Sequence, residues 1–360
     1  AQDIEHTAEA LEYINQDIVG TIQTQEFDSM AAQAEGLVNG EVKAIVYNSN
    51  YTEVMEQAVE GYESEIKVIY SHSITTDVED LTIDVSVQEE PFSVYISGID
   101  VYGDLATNSR SDVNIIATVN PKTHQILLVT TPRDYYVTIP GISGYAKDKL
   151  THAGIYGVEA SMATLENLYE IEIPFYARVN FTSLIDIVDI LGGVDVESDY
   201  TFTTGYAAGC VVDLYACINP LNGEQALAFA RERKALADGD NQRGKDQPKV
   251  ITAMIQQMLS PSMIVKASSI PDSGSHNVDT NMANEQLKEL IKQQHRESSD
   301  WYIYGVAAEG EGMMSTCYSS GSQELYVTEV DFDSVENIQD LMQRVIDGEV
   351  IEESVTASGK

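Results

Sequence analysis

"RSDVNIIATVNPKTHQILLVTTPRD", residues 110–134, decides the fold. Residues 111–120 and 125–134 are two runs rich in Val, Ile, Leu and Thr, the composition of strands. "NPKTH" between them carries the Asn and Pro of a hairpin turn. A third strand-like run, "FSVYISGID" at 92–100, comes just before. The apolar faces of these runs are nearly continuous, which points to strands covered on both sides.

Amphipathic helical segments follow at "GIYGVEASMATLENLYE" (154–170), "TSLIDIVDILGG" (182–193), "GEQALAFARERK" (223–234) and "QPKVITAMIQQML" (247–259). Strand candidates "IPFYARVNF" and "VDVESDYTFTT" lie between them, and "DWYIYGVA", "QELYVTEV" and two further helices complete the chain. This mixture predicts an α/β fold with a mixed central β-sheet covered by helices, over residues 87–350. Residues 1–86 read as a small α/β accessory unit. Ile4, Ala8, Leu11 and Ile18 recur at helical spacing, while "EVKAIVYN" and "IKVIYSHSI" are rich in β-branched residues. The acidic "TTDVEDLTIDVSVQEE" marks the boundary.

The chain carries 20 Lys and Arg against 58 Asp and Glu, a formal net charge of -38. A polyphosphate partner would be repelled over almost the whole surface, which excludes nucleic acid, and a basic membrane-binding face is excluded as well. Against that background, residues 226–249 gather Arg231, Arg233, Lys234, Arg243, Lys245 and Lys249. Such a cluster is an attractive spot for an anionic ligand. The three cysteines have no zinc-ligand spacing. Cys210 and Cys217 flank six residues, a short loop that a disulfide closes in an oxidising compartment; two unpaired thiols are the alternative.

Phosphate-binding glycine loops, a nucleophile elbow and H-E-x-x-H are absent. Of the six histidines, His152 stands out in "KDKLTHAG", between lysines and a helix. The eight arginines say more. Arg110 with Asp112, Arg133 with Asp134, Arg231 and Arg233 in "RER", and Arg243 after Asp240 all sit beside carboxylates at element edges. Arginine's planar fork binds phosphate oxygens in pairs, and carboxylates nearby suit a divalent metal. Surface ion pairs are the plain alternative for each pair taken alone.

The stretches "YISGID", "RSDVNIIATVNPKTHQILLVTTPRD", "DKLTHAGIYG", "FTSLIDIVDILGGVDV", "LNGEQALAFARERK" and "GDNQRGKDQPKVI" resemble, in order and spacing, the LytR–CpsA–Psr family of cell-wall ligases. The resemblance covers about residues 91–330 and implies a phosphotransferase. Such an enzyme moves an anionic glycopolymer, capsular or teichoic-acid in type, from a polyprenyl-pyrophosphate carrier to peptidoglycan. It implies that Arg110, Arg133, Arg231, Arg233 and Arg243 hold the pyrophosphate with Gln247. It further implies that Asp100 and Asp112 hold magnesium, or manganese in its place, and that Asp240 is a further acidic position of the site. It also implies work at the extracellular face of the membrane, with a transmembrane segment ahead of Ala1. Pro248 departs from the family pattern and predicts a late helix start there. Segments 160–176, 181–191 and 250–259 are candidates to line a lipid tunnel, or ordinary core. Two other functions use the same residues: a pyrophosphatase with water as acceptor, and a non-catalytic polyprenyl-phosphate or wall-polymer binding protein.

Overall fold

The Asn120–His124 hairpin forms as its composition requires. Asn120 Oδ1 accepts from the N–H groups of Lys122 and Thr123 at 3.0 and 3.2 Å, and His124 takes the left-handed φ of 52° that closes the turn. It joins β2 (Ser111–Asn120) to β3 (Gln125–Thr130), and β1 (Phe92–Ile99) pairs antiparallel with the other side of β2. The computed structural model describes residues 4–17, 22–71, 85–99, 109–232, 235, 239–260, 278–297 and 301–351.

Around the three central strands, β6 (Phe175–Val179) adds parallel to β1 and β12 (Tyr302–Ala307) adds parallel to β3, with β11 (Asp279–Thr280) antiparallel beyond β6. The sheet is mixed, as the sequence predicts. Its side chains alternate between two cores, the physical reason the strands read as continuously apolar. Phe92, Ile115, Ala117, Ile126 and Leu128 enter one core. That core also takes residues of α7 (Phe181–Leu191), α8 (Gly223–Arg231) and α9 (Gly239–Leu259). Tyr95, Ile116, Leu127 and Val129 enter the other, with α6 (Val158–Tyr169) and the C-terminal helix α11 (Phe332–Ile346). Between α9 and α11 the described chain also forms α10 (Asn284–Glu297) and the antiparallel pair β13 (Gly310–Thr316) and β14 (Glu324–Val330). The tunnel candidates contribute Met162, Leu184, Val188, Val250 and Met254 to these cores.

Three expectations need correction. Helix α9 starts at Gly239 and runs through Pro248 instead of beginning near it. An interior proline removes one helical hydrogen bond and costs about 3 kcal/mol; burial of Val250, Ile251, Ala253 and Met254 behind it offsets that cost. Residues 22–71 carry α2 (Met30–Val38), α3 (Thr52–Ala58) and α4 (Tyr62–Glu65), after α1 (Ile4–Asp17), and no strand. The β-branched run at 41–48 packs instead of pairing. Ile45 and Tyr47 lie against Met30, Tyr51, Met55 and Tyr62, and Gln33 Nε2 donates to the Val46 carbonyl at 2.9 Å. This unit reaches the main sheet domain through Ile155 and a 2.6 Å bond from Tyr51 to Tyr156.

The third correction concerns the thiols, which are all free. Between β7 (Val194–Glu197) and its antiparallel partner β10 (Ile218–Leu221), strands β8 (Phe202–Thr203) and β9 (Asp213–Leu214) form a small ladder. Cys210 lies opposite Thr204 at one end, and Ala216, beside Cys217, bonds Thr201 at the other. Three extended residues separate those ends, roughly 10 Å, beyond the reach of a disulfide. Cys317 is buried, and burial with the Asp148 carboxylate nearby pushes its thiol up to about 12. A thiol-reactive dye at pH 8 should therefore modify Cys210 and Cys217 in the native protein and Cys317 only after unfolding. A cross-linked 210–217 peptide in non-reducing mass spectrometry would contradict this. Among the described residues, no helix is long and apolar enough to cross a membrane.

Candidate functional site

Asp112 is the second residue of β2, at the edge of the sheet where β1 ends in a bulge at Gly98 and Ile99. Its side chain is 3% exposed. Arg133, just after β3, donates Nη1 to Asp112 Oδ1 at 2.5 Å, and Thr151 Oγ1 donates to the same oxygen at 3.3 Å. Asp112 Oδ2 is buried with no hydrogen-bond partner. A buried carboxylate oxygen left bare is costly. Its hard oxygen is of the kind a cation such as magnesium takes, so the residue is compatible with the metal that the family resemblance implies. No cluster of three or more metal-ligating side chains occurs among the described residues.

A short strap completes this edge. Strand β5 (Asp148–Lys149) pairs with β4 (Tyr136–Val137) and leads into α5 (Leu150–Ala153). Thr151 N–H bonds the Arg133 carbonyl at 2.8 Å and Leu150 N–H bonds the Tyr135 carbonyl at 2.9 Å. Lys149 Nζ lies 3.0 Å from Asp134 Oδ1, and Arg133 Nε lies 3.6 Å from Asp134 Oδ2. The strap turns at Gly154 directly over residues 109–111. A Cβ there would come within 2.5 Å of the Ser109 carbonyl oxygen, so the approach requires glycine.

The strap is locked from behind. Asp148 is fully buried, accepting from His152 Nδ1 at 2.7 Å, Lys149 N–H at 2.8 Å, and Ser319 through N–H at 2.8 Å and Oγ at 3.0 Å. Burial works to raise the Asp148 carboxyl, but His152 and these hydrogen bonds outweigh it and hold it below the ordinary carboxylate value. The sequence singles out His152; the structure places it behind the site as a structural partner.

Arg231 closes α8, whose start is fixed by a capping box between Asn222 and Gln225. Its guanidinium lies 4.5 Å from the Phe181 ring centroid at the start of α7. The helix stops there, and Glu232 is extended, with φ -65° and ψ 131°. Glu232 turns into the protein, where it accepts from Gly205 N–H at 2.7 Å and Ala235 N–H at 3.1 Å. Arg110 is half-buried at the start of β2, and Gln247 is half-buried on α9.

The structure thus brings Asp112 and Arg133 into direct contact, and Arg231 and Gln247 come from separate helices of the same layer. Asp100 and Arg233 lie outside the described residues. Asp240 and Arg243 are on α9, with side chains outside the described set. Sequence reasoning missed Thr151, Asp148 and Ser319. The four-residue spacing of Asp148 and His152 was the available signal for one of them.

Residues 49–344 match the model of the LytR_cpsA_psr family. The chain is 37% identical over 205 residues to a polyisoprenyl-teichoic acid–peptidoglycan teichoic acid transferase, TagU, of Enterococcus faecalis, covering 56% of this chain and 65% of that one. It is 31% identical over 258 residues to TagU of Halalkalibacterium halodurans, covering 71% and 82%. So it spans about two thirds to four fifths of these relatives' length. Among solved structures, Bacillus subtilis TagV superimposes with a TM-score of 0.61 at 28% identity, covering 73% of this chain and 99% of that one. TagT bound to LIIa-WTA superimposes with 0.57 at 25%, covering 75% and 96%.

Proposed function

The chain belongs to the LytR–CpsA–Psr family, and from that premise we propose that it is a phosphotransferase acting on a polyprenyl-pyrophosphate carrier. It moves an anionic glycopolymer, teichoic-acid or capsular in type, from that carrier to peptidoglycan at the outer face of the cell membrane. A membrane anchor N-terminal to this chain belongs to the reading, since it keeps the site near the lipid. The observation that carries it is Asp112, a buried carboxylate with one oxygen clamped by Arg133 and the other without a hydrogen bond.

Arg110, Arg133, Arg231, Arg233 and Arg243 bind the pyrophosphate oxygens with Gln247, their forks matching pairs of oxygens. Asp100 and Asp112 would hold magnesium, or manganese, which would neutralise charge on the phosphate oxygens. Asp240 lends a further carboxylate to the site. A muramyl hydroxyl oxygen bonds to the sugar-proximal phosphorus, the bond from that phosphorus to the bridging oxygen breaks, and polyprenyl phosphate leaves with the electron pair. The hydroxyl proton is released. The arginines stabilise charge on the transferring and leaving oxygens, the main task in phosphoryl transfer.

The test supplies a polyprenyl-pyrophosphate-linked glycopolymer, peptidoglycan and magnesium. The expected products are polyprenyl monophosphate and a phosphodiester-linked glycopolymer on peptidoglycan. Without peptidoglycan, slow release of free phosphorylated glycopolymer is expected, water taking the acceptor's place. Tight lipid binding with no turnover under either condition would mean a binding protein and overturn the reading.

A further inference from the structure

The excursion between β7 and β10 breaks the pattern of the surface. Its inner face is conventional: Phe202 and Leu214, opposite each other in the β8–β9 ladder, are buried in the core. Its outer positions are not. Tyr206 is 88% exposed, Tyr215 58% and Ile218 64%, with Tyr200 and Val211 also exposed, all within residues 200–218. Large exposed apolar side chains concentrated on one small element mark an interaction surface.

Two contacts fix this excursion beside the site. Buried Glu232, which separates Arg231 from Arg233 in the sequence, accepts from Gly205 N–H, the residue before Tyr206. Lys249 on α9 reaches Asp199 Oδ2 at 2.5 Å, next to Tyr200. The small ladder orders the aromatic groups along it. Ala216 N–H bonds Thr201 Oγ1, which places Tyr215 and Tyr200 at one end; Thr204 pairs with Val212, which places Val211 and Tyr206 at the other. Between them the outer face carries Thr203 and Asp213, joined at 2.7 Å. From residue 201 to 206 the span is roughly 16 Å, the length of a few sugar rings.

From this arrangement we infer that residues 200–218 are a docking platform for the uncharged sugar backbone of the acceptor glycan, presenting it to the neighbouring arginines. The inference rests on the transferase reading of that site. Tyrosine offers a flat apolar ring and a hydroxyl, which suit the C–H faces and hydroxyl groups of a sugar. The charge around the platform selects among occupants. Glu197 lies opposite Ile218, Asp213 bonds Thr203, and Glu224 lies near Cys210, while Lys249 is paired to Asp199 and lies near Asp246. An anionic glycopolymer or an anionic membrane surface would be repelled there, whereas carboxylates accept hydrogen bonds from neutral sugar hydroxyls.

The experiment co-sediments the chain with peptidoglycan sacculi stripped of wall polymer, with unstripped sacculi, and with phosphatidylglycerol vesicles. Binding of a polyprenyl pyrophosphate is measured in parallel. Wild type should bind stripped sacculi, and Tyr206→Ser and Tyr215→Ser should each weaken that binding at least tenfold without changing lipid binding or the melting temperature. An excess of soluble N-acetylglucosamine oligomer should compete. Unaltered sacculus binding by both variants, no sacculus binding by wild type, tyrosine-dependent binding that needs the wall polymer, or tyrosine-dependent binding to vesicles would each overturn the platform. Failure of wild type to bind the pyrophosphate lipid, with tyrosine-dependent sacculus binding intact, would instead remove the transferase reading and leave the platform standing.

Discussion

Asp112→Asn should lower magnesium-dependent transfer by about 100-fold or more while the chain stays folded. The substitution keeps shape and volume. Its amide oxygen can still accept from Arg133 Nη1 and Thr151 Oγ1, the partners of Asp112 Oδ1. What changes is the other position: an NH2 group replaces the bare Oδ2, turning a cation ligand into a cation-repelling donor. Arg133 loses one of its two carboxylate partners but keeps Asp134, 3.6 Å from its Nε, and its side chain is 23% exposed, so water can solvate the freed charge. Titration calorimetry of magnesium with polyprenyl pyrophosphate present should lose its binding signal in the variant. Lipid binding without metal should change little, because the arginines remain. Arg133→Lys is the informative companion, keeping the charge and losing the fork. Normal turnover by Asp112→Asn would remove Asp112 from the metal site and the assigned mechanism with it.

What the sequence made legible follows physical lines. The central strands were readable because burial on both faces gives a continuous apolar run that polar loops interrupt sharply, and because Asn120 and Pro121 announce the hairpin. The same β-branched signal misled at residues 41–48. Composition reports that a segment tolerates extended backbone, not that a ladder partner exists; there Gln33 and a helical cluster take up the chain instead. Strand β13 went unread, since "GEGMMST" has little apolar content and is a strand because β14 pairs along its whole length. In the site, the charged residue types were legible and their partners were not. Arg133 meets Asp112 across 21 positions, and Ser319 meets His152 across 167. Such pairings are set by sheet order, which no local pattern encodes.

The buried cluster behind the strap leads to the largest expected effect on stability. His152→Ala leaves Asp148, 0% exposed, without the partner at 2.7 Å. Removing one member of a buried pair typically costs 3–5 kcal/mol. Lys149 N–H, Ser319 N–H and Ser319 Oγ still serve the carboxylate, so the expected loss is near the low end, about 3 kcal/mol, or a fall in melting temperature of roughly 6–12 °C. The pH dependence supplies the check that a merely smaller side chain would not. The folded-state carboxyl of Asp148 is lowered from its ordinary 3.8. Its contribution is therefore complete above that value and is lost as pH falls through the lower folded-state value. Urea unfolding of wild type and variant at pH 6 should show the full gap, and at pH 3 a narrower one, because below the ordinary 3.8 unfolding releases the carboxyl to take up a proton, which favours the unfolded chain. The same variant should loosen the strap that carries Thr151 to Asp112 and Lys149 to Asp134, so turnover should fall even below the melting temperature. An equal gap at both pH values would mean that His152 only fills space, and that Asp148 does not hold the strap through its charge.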